Sequence, residues 1–302
     1  MFIVSPRIGL CNQLQSIVKT VLLAKKYNRD VYIDNFQIDL DSNRLCNINE
    51  ILDIDNINNF YKEKNINVNI IKEIDQSIIN EIENYKLKEI NYEKISTLSN
   101  INSIIENNLD QKIIYLGNPV SLCINTSFNF DYNDYNNLYF FLITHLFFKK
   151  KFYDIKNYIK TQLNLDYYST FHLRIEDDAL SHFSMCYNLN IDEYNKILIE
   201  YYLNKINNEN KKIYICSGIL NYSNKINLDF YTNLLNSNNK ICDKKNIDID
   251  EYIKNNRELI AIIDLLIAYD SNNFIGCWIS SFSQIINAYC NIKNKQSELF
   301  KI

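Results

Sequence analysis

Four glycines, two prolines, three histidines and a single tryptophan are few for a chain of 302 residues. A residue that the composition disfavours is kept for a reason. For glycine the reason is a backbone at φ > 0 or the close approach of another group, and Gly9, Gly218 and Gly276 all fall beside polar motifs. The eight cysteines are scattered without a C-x-x-C pair, so neither a zinc site nor a disulfide framework is signalled. Positive charge is equally dispersed. With a net charge of −4 and no basic block longer than that in "FFKKKF", nucleic acid is not the expected partner. No apolar run approaches the length of a membrane span, and "MFIVSPRIGLCNQ" lacks the charged and apolar regions of a signal peptide. A cytoplasmic protein with reduced thiols and no membrane span is the expectation. The surplus of Asn, Ile, Lys and Tyr has the pattern of nucleotide bias, so Asn-rich stretches carry little weight.

Periodicity supplies the rest of the outline. "FIVS" (2–5) predicts a strand that Pro6 ends, and Leu14, Ile17, Val18, Val21 and Leu22 predict a helix from Asn12 to Lys26. "DVYID" (30–34) is a second strand, and strand, loop, helix, strand in this span is a βαβ unit, which implies a parallel sheet. Residues 40–110 are polar and acidic, with helical stretches such as 71–87; a strand, "KIIYLG" (112–117), and an apolar helix within 137–148 follow. A connecting segment at 153–163 leads to a second α/β half. There, strands are expected at 167–175, 211–218 and 273–277, and helices at 192–207, 257–270 and 280–290. The fold class is α/β, in two domains of residues 1–155 and 156–302.

Chemistry gathers at the strand ends. In "PRIGLCNQL" (6–14), Gly9 lets backbone N–H groups approach a ligand at a helix start, and the Asn12 and Gln13 amides can donate and accept. The same loop also reads as an ordinary βα connection with Asn12 as N-cap. In "HLRIEDD" (172–178), His172 and Arg174 are two residues apart and point to one face if the strand continues through them. The guanidinium fork suits a diphosphate, and Glu176, Asp177 and Asp178 can orient the histidine, pair with Arg174 or take a proton. A structural ion pair and a satisfied histidine fit the same letters. In "NFIGCWISSFSQ" (273–284), Ser280, Ser281 and Ser283 surround a helix start and could cradle phosphate without metal, or one of them is simply an N-cap. Trp278 is expected in the core. Ser217 and Gly218 end a further strand that could border the same crevice.

Taken in order, "GLCNQL", "HLRIEDDALSHFSMC" and "FIGCWISSFS" resemble the GDP-fucose O-fucosyltransferase superfamily, which is related more distantly to α1,2- and α1,6-fucosyltransferases. The resemblance runs from residue 7 to 290 and leaves 40–110 unmatched. It implies a GT-B fold, two Rossmann-like α/β/α domains facing across a cleft, with a nucleotide-sugar donor held mostly by the C-terminal one and no cofactor or metal. Carried over, Arg174 binds the donor diphosphate and stabilises departing GDP, and His172 contacts the nucleotide. Ser281, Phe282 and Ser283, with Ser280 beside them, hold phosphates and ribose or base. Asn12, flanked by Gly9, Cys11 and Gln13, faces the sugar and a protein or glycan acceptor. Glu176 and Asp178 match acids of the plant-type pattern and are the candidate bases. Relatives carry a guanine-contacting Asp just before the "FIG" strand; here that position is Asn272, with Asp270 two residues earlier.

The implied activity is inverting, metal-independent transfer of fucose from GDP-β-L-fucose. Two alternatives stand beside it: transfer of rhamnose or another deoxysugar from a UDP or dTDP donor, and a silent nucleotide- or glycan-binding module on the same fold. The Asp-x-Asp pairs Asp39/Asp41, Asp53/Asp55 and Asp248/Asp250 could hold a metal. Three copies in an acidic chain point instead to chance.

Overall fold

Residues 1–33 form the expected βαβ unit. Strand β1 (Phe2–Val4) is buried along its whole length, as an inner strand of a parallel sheet must be. Helix α1 (Leu10–Tyr27) buries Leu14, Ile17, Val18, Val21 and Leu22, which recur every three or four residues along one face. It closes on Asn28 in the left-handed conformation, with Lys25 and Lys26 at the negative end of the helix dipole. Strand β2 (Val31–Ile33) then pairs parallel with β1. The computed structural model describes residues 1–39, 42–75, 78, 105–119, 132–219 and 226–302.

The polar stretch after β2 holds more order than its letters suggest. β3 (Asn35–Asp39) and β4 (Arg44–Asn47) make an antiparallel hairpin, and α2 (Ile54–Glu63) starts on an Asp53 side chain that accepts the Asn56 N–H. β5 (Ile70–Ile71) joins β2, and β6 (Ile114–Gly117) joins β1, giving the all-parallel order β5-β2-β1-β6. Of the helix expected over 71–87, residues 76–77 and 79–87 lie outside the described residues, and Ile71 is in a strand. Helix α3 (Tyr132–Thr144) covers the first part of the apolar stretch at 137–148.

The chain divides into two compact units, Met1–Lys149 and Lys150–Ile302. The segment expected to connect two halves is helix α4 (Lys150–Gln162), the first element of the second unit. After it come β7 (Tyr168–His172), α5 (Asp177–Cys186) and α6 (Ile191–Asn208), the last opened by a capping box between Asn190 and Glu193. Then follow β8 (Lys212–Cys216), α7 (Leu228–Ser237), β9 (Ile241–Cys242), the single turn α8 (Glu251–Lys254) and α9 (Arg257–Asp270). β10 (Asn273–Cys277), α10 (Ser281–Ile292) and β11 (Gln296–Phe300) complete the unit. α9 packs against α4 and is buried almost all round; Leu259, Ile262, Ile263 and Leu265 are fully covered, each worth about 1.5–3 kcal/mol of burial.

Strand order decides where a ligand can enter. The second sheet runs β11-β10-β7-β8-β9, all parallel, so β7, first in the chain, lies beside β10, fourth in the chain. Chain direction across the sheet reverses between these two strands. This is the topological switch point of a doubly wound sheet, where loops leaving the C-terminal ends of two such strands run in opposite directions and ligands of such sheets bind. In the first unit the corresponding pair is β1 and β6.

Candidate functional site

At the switch point of the second unit, His172 is the last residue of β7, Cys277 is the last of β10, and the turn from Trp278 to Ser280 leads into α10. The His172 ring is buried, and its Nδ1 lies 2.7 Å from Ser283 Oγ. That oxygen also accepts the Cys277 N–H at 3.0 Å. One hydroxyl thus ties the end of β7, the end of β10 and the first turn of α10 together. Tyr202 OH donates to the His172 carbonyl (2.7 Å), which pins the backbone beneath the ring. The approach leaves no room for a side chain at Gly276: a Cβ there would sit 2.4 Å from Ser283 Oγ and 2.8 Å from the Phe274 ring. Burial, and after it the nearby Arg174 and Lys244 charges, pull the His172 pKa down to about 3, so the imidazole is neutral across the physiological range.

Helix α10 begins without a side-chain cap. Ser280 occupies the N-cap position but makes no cap hydrogen bond, contrary to the N-cap alternative, so the first N–H groups of the helix keep their polarity for another acceptor. Ser281 and Phe282 are its first residues, and the Phe282 ring stands 4.7 Å from that of His172, centroid to centroid. Trp278, expected in the core, is instead 47% exposed. Its amide donates to Phe300 O, which holds the chain at the sheet edge while the indole turns outward against the Lys301 ammonium.

Arg174 differs from expectation. β7 ends at His172, so Arg174 follows in a loop rather than on a shared strand face, and α5 starts at Asp177, directly behind it. Its Nη1 donates to Glu176 Oε2 (2.8 Å) and Nη2 to Asp178 Oδ2 (2.8 Å), with Nη1 reaching Asp178 Oδ1 at 3.3 Å. Glu176 is buried and also accepts Ser217 Oγ–H (3.1 Å) and Gly218 N–H (2.6 Å). Its oxygens are committed to holding Arg174 and the end of β8, which argues against Glu176 as a proton acceptor. Asp178, half exposed in the first turn of α5, has only Arg174 as its ion-pair partner among the described residues. Asp177 accepts the Ile226 N–H instead.

In the first unit, the loop from Ser5 to Gly9 leaves β1 at the other switch point. α1 starts at Leu10 with Gly9 as N-cap, so Asn12 lies inside the first turn and is not the cap; it is half-buried, while Cys11 is buried. The left-handed backbone expected of a glycine falls on its neighbour. Gly9 has φ −62° and Ile8 has φ 75°, an unfavourable value for a β-branched residue. Two glutamines hold it there. Gln13 Nε2 donates to Ile8 O (2.9 Å) and Gln37 O (2.8 Å), while Gln37 Oε1 accepts the Ile8 N–H (2.8 Å). Gln13 Oε1 accepts the Gln37 N–H, so both N–H groups and the oxygen of the Gln13 amide are engaged in bracing the loop. The strain at Ile8 persists because both of its peptide groups are fixed from outside.

Two parallel α/β units, with polar groups at both switch points, match proteins of known structure. The fold is the GT-B fold of fucosyltransferases. POFUT1 in complex with GDP-fucose superposes with a TM-score of 0.60 over 100% of this chain and 97% of its own, at 11% identity. The structure of NodZ α-1,6-fucosyltransferase soaked with GDP-fucose gives 0.54 over 95% and 92%, at 13% identity. NodZ from Bradyrhizobium gives 0.53 over 94% and 91%, at 10% identity. No protein-family model and no curated protein sequence matches the chain.

On this GT-B scaffold the expected residues separate into groups. His172, Ser280, Ser281, Phe282 and Ser283 come together at the β7/β10 switch point, and Arg174, Glu176, Asp178, Ser217 and Gly218 form the cluster at the ends of β7 and β8. Asn272 does not join them. Its Oδ1 accepts the Tyr168 N–H (3.1 Å) where β7 begins, and Asp270 pairs there with Lys156 and Lys160. Parallel strands put their starts at the edge opposite their ends; the five residues of β7 span roughly 15 Å, so Asn272 is out of reach of a ligand at His172. Of the Asp-x-Asp acids, Asp53 and Asp250 cap helices, Asp55 pairs with Lys72 and Asp39 accepts the Ser42 N–H, while Asp41 lies outside the described residues. Among the described residues no group of three or more His, Cys, Asp or Glu side chains could hold a metal ion, and no helix is long and apolar enough to cross a membrane.

One charged pair near the site escaped the sequence reading. Lys244, just beyond β9, donates to Asp264 Oδ2 (2.6 Å), and Tyr214 OH donates to Asp264 Oδ1 (2.7 Å). Burial works against the Lys244 ammonium, but Asp264, with Cys216 and Asp243 nearby, leaves Lys244 above its ordinary pKa. The available signal was an aspartate within the apolar helix "RELIAIIDLLIAYD", since a buried carboxylate requires a partner.

Proposed function

We propose that the protein is an inverting, metal-independent glycosyltransferase that moves fucose from GDP-β-L-fucose to a hydroxyl of a protein or glycan acceptor. The observation that carries this reading is the His172–Ser283 hydrogen bond across the switch point, beside an uncapped helix start and one residue from Arg174's loop. It is supported by a fold shared over nearly the whole chain with proteins solved with GDP-fucose. Fixed N–H dipoles at α10 and the Arg174 guanidinium suit a diphosphate whose charge grows as it leaves. The neutral His172 ring, with Nδ1 turned to Ser283, has Nε2 for the nucleotide.

In the proposed step the acceptor oxygen bonds to C1 of the sugar as the bond from C1 to the diphosphate oxygen breaks. The electron pair departs with GDP, where Arg174 and the α10 amides meet it, and attack from the opposite face inverts C1. The acceptor's proton passes to a carboxylate, for which Asp178 is the candidate, since Glu176 is committed. Asn12 is the first unit's candidate for contact with the acceptor. A guanine partner at Asn272 is not part of the proposal, and this keeps a UDP or dTDP donor of another deoxysugar as the second reading.

Calorimetric titration with GDP, UDP and dTDP, each with and without EDTA, is the test. Selective GDP binding that survives EDTA is the expected result. Preference for UDP or dTDP moves the donor to another sugar nucleotide, loss of binding in EDTA overturns metal independence, and no binding to any of the three sinks the enzyme reading. Arg174→Ala should then lower turnover by about 10²-fold or more, in line with the loss of one electrostatic stabiliser.

A further inference from the structure

The guanidinium proposed to bind the diphosphate is held by two carboxylates. Glu176 is buried and anchored by three donors, whereas Asp178 is half exposed and takes the outer Nη1/Nη2 edge of Arg174 with both oxygens. By themselves Arg174, Glu176 and Asp178 carry a formal charge of −1, so this trio disfavours a further anion. A diphosphate that uses the same planar edge has to replace Asp178 on it, because bidentate recognition needs both outer N–H groups at once.

Resting on the reading of this site as a nucleotide-diphosphate site, we propose that Asp178 is an exchangeable latch on Arg174. The donor's diphosphate displaces it, and Glu176 keeps the guanidinium aimed through the exchange. The division of roles follows from what each carboxylate would leave behind. Withdrawing Glu176 would strand Ser217 Oγ, the Gly218 N–H and a buried charge. Withdrawing Asp178 returns an exposed carboxylate to water in the first turn of α5, where the helix dipole favours it. The exchange also ties base to donor: the carboxylate released when the diphosphate binds is the one proposed to take the acceptor's proton, so Asp178 becomes available only when a donor is present.

A latch predicts an affinity change of unusual sign. Asp178→Asn removes the competing charge while keeping size and shape, so GDP should bind about tenfold more tightly than to the natural chain. An Asp178 that merely positions Arg174 for the ligand would give weaker binding instead. Asp177→Asn is the control, because it removes the same charge one residue away from a carboxylate bonded to Ile226 N–H and not to Arg174; it should leave GDP affinity unchanged. Titrations of the three full-length proteins with GDP and with inorganic diphosphate, alongside thermal melts to verify folding, decide the matter. GDP binding to the natural chain with no gain in Asp178→Asn, or an equal gain in Asp177→Asn, overturns the latch and leaves the transferase reading standing. Absence of binding to the natural chain and to Asp178→Asn alike overturns both.

Discussion

His172 is the residue on which most of the site's chemistry converges, and its protonation has a thermodynamic signature. Burial first, then the Arg174 and Lys244 charges, set its folded pKa at about 3 against an ordinary 6.5. The unfolded chain therefore takes up a proton between these values that the folded chain refuses. The contribution of a neutral His172 to stability is fully present above about pH 6.5 and is lost as pH falls toward 3, at no more than about 1.4 kcal/mol per pH unit. Denaturant melts of His172→Gln should show a shallower loss of stability than the natural chain between pH 6.5 and 4; parallel curves would mean the ring is accessible to protons. Glu176→Ala, by stranding Arg174, Ser217 and Gly218 together, should cost about 2–4 kcal/mol by urea denaturation, less than a fully buried pair because Arg174 retains some access to solvent.

At the level of elements, β10, its turn and α10 act as one device. Gly276→Ala would force a Cβ against Ser283 Oγ and the Phe274 ring, and should destabilise the protein by about 1–3 kcal/mol while loosening the His172 contact. A melt of Gly276→Ala within a degree of the natural chain would remove this close approach from the account. Several elements were legible in the letters. The strand at 273–277 and the helix at 257–270 have the bounds expected, because an apolar run between turn signals and an apolar face at helical spacing leave few alternatives. What was not legible was where strands stop. Alternation through "FHLRI" continues past His172, but pairing with β10 ends at Phe171 and α5 begins by Asp177, so Arg174 leaves the strand face its spacing suggested. Trp278 is a related case, because composition does not say which way a turn points; Asn272 entered through the resemblance alone, although its place just before the strand at 273–277 already puts it at that strand's start. The left-handed Ile8 was hidden because the glutamines that hold it are distant in sequence.

For the molecule as a whole, the division at Lys149 and Lys150 has a direct consequence. The second unit owns a five-stranded parallel sheet and a continuous core from Phe171 and Leu173 to Cys277 and Phe300, and all of the residues proposed for the diphosphate lie in it. A chain of residues 150–302 should melt cooperatively and bind GDP within about tenfold of the full-length affinity. A non-cooperative melt would mean that this unit depends on the first for its fold. The first unit is the part whose sequence was least readable, because polar composition and short strands leave little periodicity there.

Trp278 is the sole tryptophan in a chain with 23 tyrosines, and it stands half exposed on the turn that leads into Ser280–Ser283. The folded protein will therefore emit at a red-shifted, water-relaxed wavelength, fed by energy transfer from buried tyrosines, where most folded proteins emit blue. The lone indole is a built-in optical probe: anything that seats on the start of α10 changes its quenching by Lys301 and by water, so occupancy can be followed on the natural chain without a label.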